Sequence, residues 1–285
     1  MPLFNPPPAN SDEALDERRT KGYLTGMKQY RAIAAYYDAE NEHHDMLHRD
    51  VPMLLKHLPQ RRQNVLELAV GTGRAAIPLA EAGHRVVGID YAKDMLDIAR
   101  AKRDRAGISQ RDFALVRGDV RRKRLRWKFD WVVLLFNTML AFPTLEDQDA
   151  LLRNVTRHLK PGGRFWLDIF QPNLSLLARP RSQNLDPVIF YIPELNRTVF
   201  RNTTVKRDPA AQIQEVTFRY RWFDDRGGEH NHRVTFPLTF IFPRELRILL
   251  ERNGLMLQKM YGDYDGSDLN SDSPRIIALC RRRWR

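Results

Sequence analysis

One stretch constrains the fold more than all the rest. Val65-Leu-Glu-Leu-Ala-Val-Gly-Thr-Gly-Arg74 runs on into Ala-Ala-Ile-Pro-Leu-Ala-Glu-Ala-Gly-His-Arg-Val-Val-Gly-Ile-Asp90. It reads as a buried strand, a glycine turn, an amphipathic helix and a second strand ending in an acid. Gly71 and Gly73 lack a Cβ, so the backbone can turn sharply and a ligand can lie against it. Asp90 falls where a second parallel strand would end, a position suited to a carboxylate that grips ribose hydroxyls. The stretch therefore predicts a ligand with an adenosine half.

Gly71 to Ala76 also fits the dinucleotide pattern G-x-G-x-x-A, so a nicotinamide or flavin cofactor is the first alternative. Three features point away from it. Glu67, just before the turn, would repel a pyrophosphate and suits a ligand bearing an amino group or positive charge. Val116-Arg-Gly-Asp119-Val120 follows a third predicted strand and sets Asp119 to accept from an adenine amino group. Leu159-Lys-Pro-Gly-Gly-Arg-Phe-Trp-Leu-Asp168 reads as helix end, tight turn and fifth strand. Together these residues resemble the class I S-adenosylmethionine-dependent methyltransferases, most specifically over residues 64–170. The family pattern E-x-G-x-G-x-G is matched by Glu67, Gly71 and Gly73, with Ala69 in place of the first glycine. That exchange is harmless if Ala69 keeps an ordinary β conformation and matters if its φ is positive.

A chain of 285 residues can bury a sizeable core as one domain with an insertion, or as two small ones. No stretch approaches the about 20 apolar residues of a membrane helix. Met1-Pro-Leu-Phe-Asn-Pro-Pro-Pro lacks the basic start and apolar run of a secretory signal. The lone cysteine, Cys280, has no internal disulfide partner. These features point to the cytoplasm. A net charge of +12 raises nucleic acid as a partner, with clusters at Arg121-Arg-Lys-Arg-Leu-Arg-Trp-Lys128 and Arg281-Arg-Arg-Trp-Arg285. Most of these cations are arginine, a bias that a GC-rich genome can produce, and no RRM, KH or zinc-finger pattern accompanies them. Solvated surface is the favoured reading. The histidines show no metal-ligand spacing, so no metal is expected.

Along the chain, residues 1–22 read as a loosely packed Pro-rich and charged tail. Residues 23–60 read as an N-terminal helical lid, with helical apolar spacing through Tyr30, Ile33, Ala34 and Tyr37, then Met46, Leu47, Met53 and Leu54. Pro52 suits a helix's first turn there. Residues 61–170 form the cofactor-binding α/β core, with strands near 64–69, 85–90, 112–117, 129–136 and 163–170. Helices are expected near 73–82, 93–105 and 146–159. Residues 171–242 read as an antiparallel β insertion with strands near 188–192, 197–206, 212–223 and 232–241. Residues 243–285 complete the core with a helix near 243–253 and strands near 255–262 and 275–281. The whole is a doubly wound, mostly parallel seven-stranded Rossmann-like sheet. A similar insertion occurs in methyltransferases of small molecules, where it covers substrate or mediates subunit contacts. That likeness implies a small-molecule acceptor, and a homodimer through the insertion as one arrangement.

The resemblance implies S-adenosyl-L-methionine as cofactor and Glu67, Ala69, Gly71, Gly73, Asp90, Tyr91, Met95, Asp119, Val120 and Phe136 as its surroundings. Asp90 would take the ribose diol, Asp119 the adenine edge and Glu67 the ammonium end; Met95 would pack on adenine. The bland alternatives are strand caps for the two aspartates and ordinary core for Met95. Asn137 at the end of the fourth strand, Tyr37 in the lid and Tyr264 in the loop 261–266 are the candidate catalytic residues beside the acceptor. His43, His44, His230, His232 and Asp168 are candidate bases for an acceptor that needs one. The implied reaction is in-line methyl transfer to nitrogen or oxygen of a small molecule. The alternatives are an RNA methyltransferase using the basic clusters, weakened by the lack of an Asn-Pro-Pro-Tyr element, and a non-catalytic cofactor-binding subunit.

Overall fold

The computed structural model describes residues 33–42 and 44–283. The expected tail 1–22, Tyr30, His43 and Trp284-Arg285 lie outside the described residues. A helix over residues 33–41 (α1) and α2 (Asp45–His57) precede the core. The core then alternates β1 (Asn64–Leu68), α3 (Ala76–Glu81), β2 (Arg85–Asp90), α4 (Lys93–Arg105), β3 (Phe113–Arg117), β4 (Phe129–Leu134), α5 (Leu145–His158) and β5 (Leu159–Phe170). A short α6 (Leu174–Leu177) leads to β6 (Arg181–Ile192), β7 (Arg197–Asp208), β8 (Ile213–Phe223) and β9 (Glu229–Thr239). The chain ends with α7 (Pro243–Arg252), β10 (Leu255–Tyr261) and β11 (Arg275–Arg282).

Seven strands form one sheet in the order β10-β11-β5-β4-β1-β2-β3. β1 to β5 run parallel, and β11 lies antiparallel between β5 and β10. Such strands are covered on both faces and so read as continuous apolar runs. Alternate residues serve opposite sides. Leu66, Val87, Val132 and Phe165 pack with leucines of α5 and α7, while Val65, Val86, Val133 and Trp166 pack with α2 and α3. Each fully buried Val or Leu contributes about 1.5–3 kcal/mol, so Leu66→Asp would abolish the fold. Right-handed crossovers put every parallel strand's carboxyl end on one edge.

Three local expectations are corrected. Pro52 sits inside α2, which begins seven residues earlier, rather than in its first turn; its missing N–H leaves the His48 carbonyl, one turn earlier, without the usual helical donor. β5 takes in the Pro161-Gly-Gly turn predicted to precede it, as an irregularity in its register with β4 between Phe129 and Trp131. β6 starts at Arg181, well before the expected 188, and its pairing with β7 slips at Gln183/Leu185 and Leu185/Val188. Period-two alternation is missing from that stretch, so nothing in the sequence marked it.

The insertion is a four-stranded antiparallel sheet, β6-β7-β8-β9. Its inner face (Phe190, Val199, Tyr220, Val234 and Phe236) closes around Ile33 of α1, with Tyr36 and Tyr37 alongside. α1 is thus wedged between the insertion and the core.

Candidate active site

The glycine turn between β1 and α3 is held by Asp90. One Asp90 oxygen accepts from Gly71 N (2.9 Å), the other from Ala92 N (2.8 Å). Gly71 adopts φ +54°, and a Cβ there would meet nothing within 4 Å. Gly73, at φ +81°, has Ala99, Phe113 and Ile77 within 3.4–3.5 Å of that position. The first glycine therefore opens space above the turn, and the second permits close packing beneath it. Ala69 departs from the β conformation that would have made its exchange harmless: its φ is +56°. A left-handed alanine costs about 1–2 kcal/mol, which explains glycine in the family pattern.

Glu67 is 5 % exposed, and its Oε2 has no hydrogen-bond partner. Burial pushes its carboxyl up to about 8, opposed by the charge of Arg74 and reinforced by Asp50 and Asp90. Arg74, four positions into the α3 entry, forks onto both oxygens of buried Asp50 (2.8 and 2.5 Å) and reaches Leu47 O (3.1 Å). It thereby pins α2 to the turn. Burial also raises the Asp50 carboxyl, with Arg74 pulling it back. Carboxyl groups thus outnumber cations in a dry space at the carboxyl ends of β1 and β2. That donor set suits a cationic ligand and repels an anionic one.

α1 closes over the turn. Asp38 accepts from Thr72 Oγ1 (2.7 Å) and from Lys102 Nζ (3.0 Å). Ala34 and Tyr37 pack on Ala92 and Met95, and Met95 is buried there as part of this small apolar cluster. Two residues beyond Asp38, buried Glu40 accepts from Arg201 of β7 and from the Tyr220 hydroxyl of β8 (2.9 Å). Neither Glu40 nor Asp50 was singled out from sequence. An acid three residues past an aromatic pair, in a helix with apolar spacing, was the one available signal for Glu40.

At the carboxyl end of β4, Phe136 (φ +50°) and Asn137 (φ +62°) are consecutive left-handed residues. A bulky residue there is a steric outlier, and strain of about 1–3 kcal/mol per residue is held by its surroundings. The holding contacts are visible. Asn137 Oδ1 accepts from Phe170 N (2.7 Å), and Asn137 N donates to Asp168 O (3.2 Å), tying the ends of β4 and β5. The Phe136 ring lies 5.8 Å from the Arg74 guanidinium and 6.1 Å from the His44 ring, which meets it edge-on.

Tyr264 is buried, and its hydroxyl donates to Asp168 Oδ2 (2.9 Å). Asp168 Oδ1 takes Arg275, a fully buried arginine whose guanidinium lies 4.4 Å from the Phe170 ring. Burial and the Asp168 charge push the Tyr264 phenol up, so it stays protonated. Both Asp168 oxygens are engaged, which leaves it a fixed hydrogen-bond hub. Arg275 opens a strand that is apolar from Ile276 to Cys280, a placement the sequence reading passed over.

Other expected residues fall nearby with different partners. Asp119 follows β3, but Arg121 chelates its carboxylate (2.6–3.1 Å) and also pairs with Asp147. Val120 is buried, its carbonyl taken by Asn154 (2.8 Å). Tyr91 lies under the Arg117 guanidinium (5.9 Å). His230 is exposed at the β8–β9 hairpin, bonded to Asp224 (2.7 Å) and stacked on Trp222. His232 stacks on Tyr220 on the inner face of the insertion, with its Nε2 buried and unpartnered. Among the described residues no cluster of three or more His, Cys, Asp or Glu side chains has a metal-binding arrangement.

Comparison with known proteins agrees with this geometry. Residues 65–163 match the family described as a methyltransferase domain. The chain is 39 % identical over 233 residues to the cypemycin N-terminal methyltransferase of a Streptomyces species, covering 82 % of this chain and 89 % of that one. Its fold is similar to that of the CcbJ methyltransferase from Streptomyces caelestis (TM-score 0.73, 22 % identity, 91 % and 98 % of the two chains). It is similar also to an S-adenosylmethionine-dependent methyltransferase from Clostridium acetobutylicum ATCC 824 (TM-score 0.72, 18 % identity, 90 % and 99 %). The fold and the acid-flanked glycine turn are those of a group-transfer enzyme with an adenosine-bearing cofactor. The chain belongs to the class I S-adenosylmethionine-dependent methyltransferases.

Proposed function

We propose that this enzyme moves the methyl group of S-adenosylmethionine to an amine nitrogen of a small-molecule or peptide acceptor. The observation that carries this reading is the buried, unpartnered Glu67 Oε2 in an acid-rich cup beside an open glycine turn. That cup complements the ammonium and sulfonium charges of the cofactor. When bound, the cofactor supplies an electrophilic methyl that needs alignment more than activation. Asp90 retains lone pairs for the ribose diol while its backbone bonds hold the turn. Asp119 can meet the adenine amino group if Arg121 shifts its weight onto Asp147. Alignment alone contributes on the order of 7–11 kcal/mol in such displacements.

Phe136 and His44 then border the acceptor, with Asn137 and Tyr264 acting from behind as positioning residues. Tyr37, Tyr36 and the inner face of the insertion form the cover. An uncharged amine needs no base before transfer and only loses a proton afterwards, which suits a site whose Tyr264 and Asp168 are already committed to each other. The name of the N-terminal methyltransferase relative supports nitrogen over oxygen. A pair of chains meeting through the insertion would use its outer face, where Ile189, Tyr191 and Phe223 are exposed.

Calorimetry with S-adenosylmethionine, its demethylated product and NAD tests the cofactor, with Asp90→Ala as control. Binding of the sulfonium compound, lost in the variant, is expected. Binding of NAD alone would overturn the reading. A panel of amines, hydroxyl compounds and peptides with radiolabelled methyl donor then tests the acceptor. Label in hydroxyl compounds alone would move the assignment to oxygen, and none anywhere would favour a non-catalytic subunit.

A further inference from the structure

The amino-terminal edge of the seven-stranded sheet lies opposite the glycine turn and collects exposed positive charge. Arg61 and Arg62 lead into β1, Arg111 into β3 and Lys128 into β4. Arg164 of β5 stands directly across from Arg281 of β11, and Arg282 of β11 across from Leu255 of β10. The Arg282 guanidinium reaches Leu159 O, and Lys128 Nζ reaches Arg157 O, so these groups share one edge. Four carboxylates bordering it are each matched, in the pairs Arg62–Asp112, Arg103–Asp104, Lys160–Asp130 and Arg252–Asp149. Glu81 and Glu251 stand at the rim. Arg61, Arg111, Lys128, Arg157, Arg164 and Arg283 are exposed and form no ion pair with a carboxylate among the described residues.

One ordinary explanation falls short. Helix C-termini collect at this edge and favour cations in their last turn. That accounts for Arg157 and Arg252, but Arg61, Arg111 and Arg283 lie outside helices and Arg164 lies within β5, just past its Pro161-Gly-Gly irregularity.

We propose that this edge docks the sugar–phosphate backbone of a nucleic acid, without base recognition, as an anchoring surface apart from the catalytic end. The two edges are separated by strands of roughly 17–20 Å, so the docked strand is not the methyl acceptor. Five of the six free cations are arginine, whose planar fork matches phosphate oxygens. A lipid surface is a poorer fit, since among the described residues Met256 is the one exposed large apolar side chain that borders the edge.

The test is fluorescence anisotropy with a labelled oligouridine of about 20 nucleotides at about 50 mM salt, then along a salt series. Wild type should bind with micromolar affinity. Arg61→Glu/Arg164→Glu/Arg283→Glu should weaken binding tenfold or more and flatten the salt slope by about 2, from roughly 0.7 per lost phosphate contact. The corresponding triple lysine variant should keep most of the affinity, and both variants should melt and bind S-adenosylmethionine as wild type does. No binding by wild type, equal binding by the glutamate variant, or equally tight binding of polyglutamate or phosphatidylglycerol vesicles would overturn the proposal.

Discussion

The two ends of one sheet carry opposite charges, and they carry them in different ways. At the carboxyl end the acids are inside, and one of them, Glu67, is 5 % exposed with an oxygen that has no hydrogen-bond partner. At the amino end the cations stand in water. A solvated charge costs almost nothing and contributes little. A carboxyl group in the interior costs several kcal/mol unless it is paired or neutralised. Glu67 therefore makes the carboxyl end an arrangement that a cationic ligand would relieve, whereas the amino end holds only long-range charge. On the function proposed above, the buried acid belongs to the cofactor site, and the exposed cations to the proposed docking edge.

The largest test of that contrast is Glu67→Gln. The amide keeps the size of the side chain and removes its ionisation. The folded carboxyl titrates at about 8 against an unperturbed 4.5, so its contribution to stability is complete below pH 4.5 and is lost as pH rises through about 8. The variant should therefore be more stable than wild type by about 2–4 kcal/mol near pH 7–8, at 1.36 kcal/mol per pKa unit, and the gain should vanish near pH 4. Urea unfolding at pH 4, 6 and 8 reads this. The same variant should bind S-adenosylmethionine about 100-fold more weakly. A gain in stability with no loss of affinity would uncouple the buried acid from the ligand.

Proton linkage sharpens the same point in wild type. A cationic ligand favours the ionised carboxyl, so affinity should rise about tenfold per pH unit below 8 and level off above it. Calorimetry in buffers of different ionisation enthalpy should show proton release on binding. A flat profile would mean that Glu67 stays neutral in the complex.

Glu40→Gln tests whether the wedge helix links insertion to core. The buried pair with Arg201 is broken, which should cost about 3 kcal/mol in unfolding free energy. Acceptor KM should rise several-fold while cofactor affinity changes less than twofold, because Asp38 still holds Thr72. Equal loss of both would assign Glu40 to general stability. Smallest of all, Ala69→Gly should raise the melting temperature by about 1–2 °C: relief of the left-handed alanine exceeds the added chain entropy by about 0.5 kcal/mol. A lower melting temperature would show that the Cβ packing matters more than φ.

Much of the core was legible because its code is local. Continuous apolar runs, the Gly71/Gly73 turn and acids at strand ends specify β1 to β5 and their order of appearance, and all five occur near the expected residues. Boundaries slipped where a local rule competed with packing, as at Pro52 inside α2 and at Pro161-Gly-Gly inside β5. The candidate site was legible only in part. Asp90 ends β2, the two glycines form the turn where their spacing placed them, and Glu67 stands before it, while the Asp90 bonds that hold the turn were not foreseen. Yet Asp119 is occupied by Arg121, and His230, considered as a base, is a surface partner of Asp224.

By itself the sequence determined the parallel sheet, the ligand turn with its acids, and the presence of a strand-rich insertion, because periodicity and backbone permissiveness act over a few residues. Tertiary structure alone decided which acids end up dry, which arginines neutralise them, and which face the insertion turns toward α1. Glu40 meets Arg201 across 161 residues and Asp168 meets Arg275 across 107. No spacing rule reaches that far, since burial and ion pairing depend on which distant segments share a volume once the chain has packed.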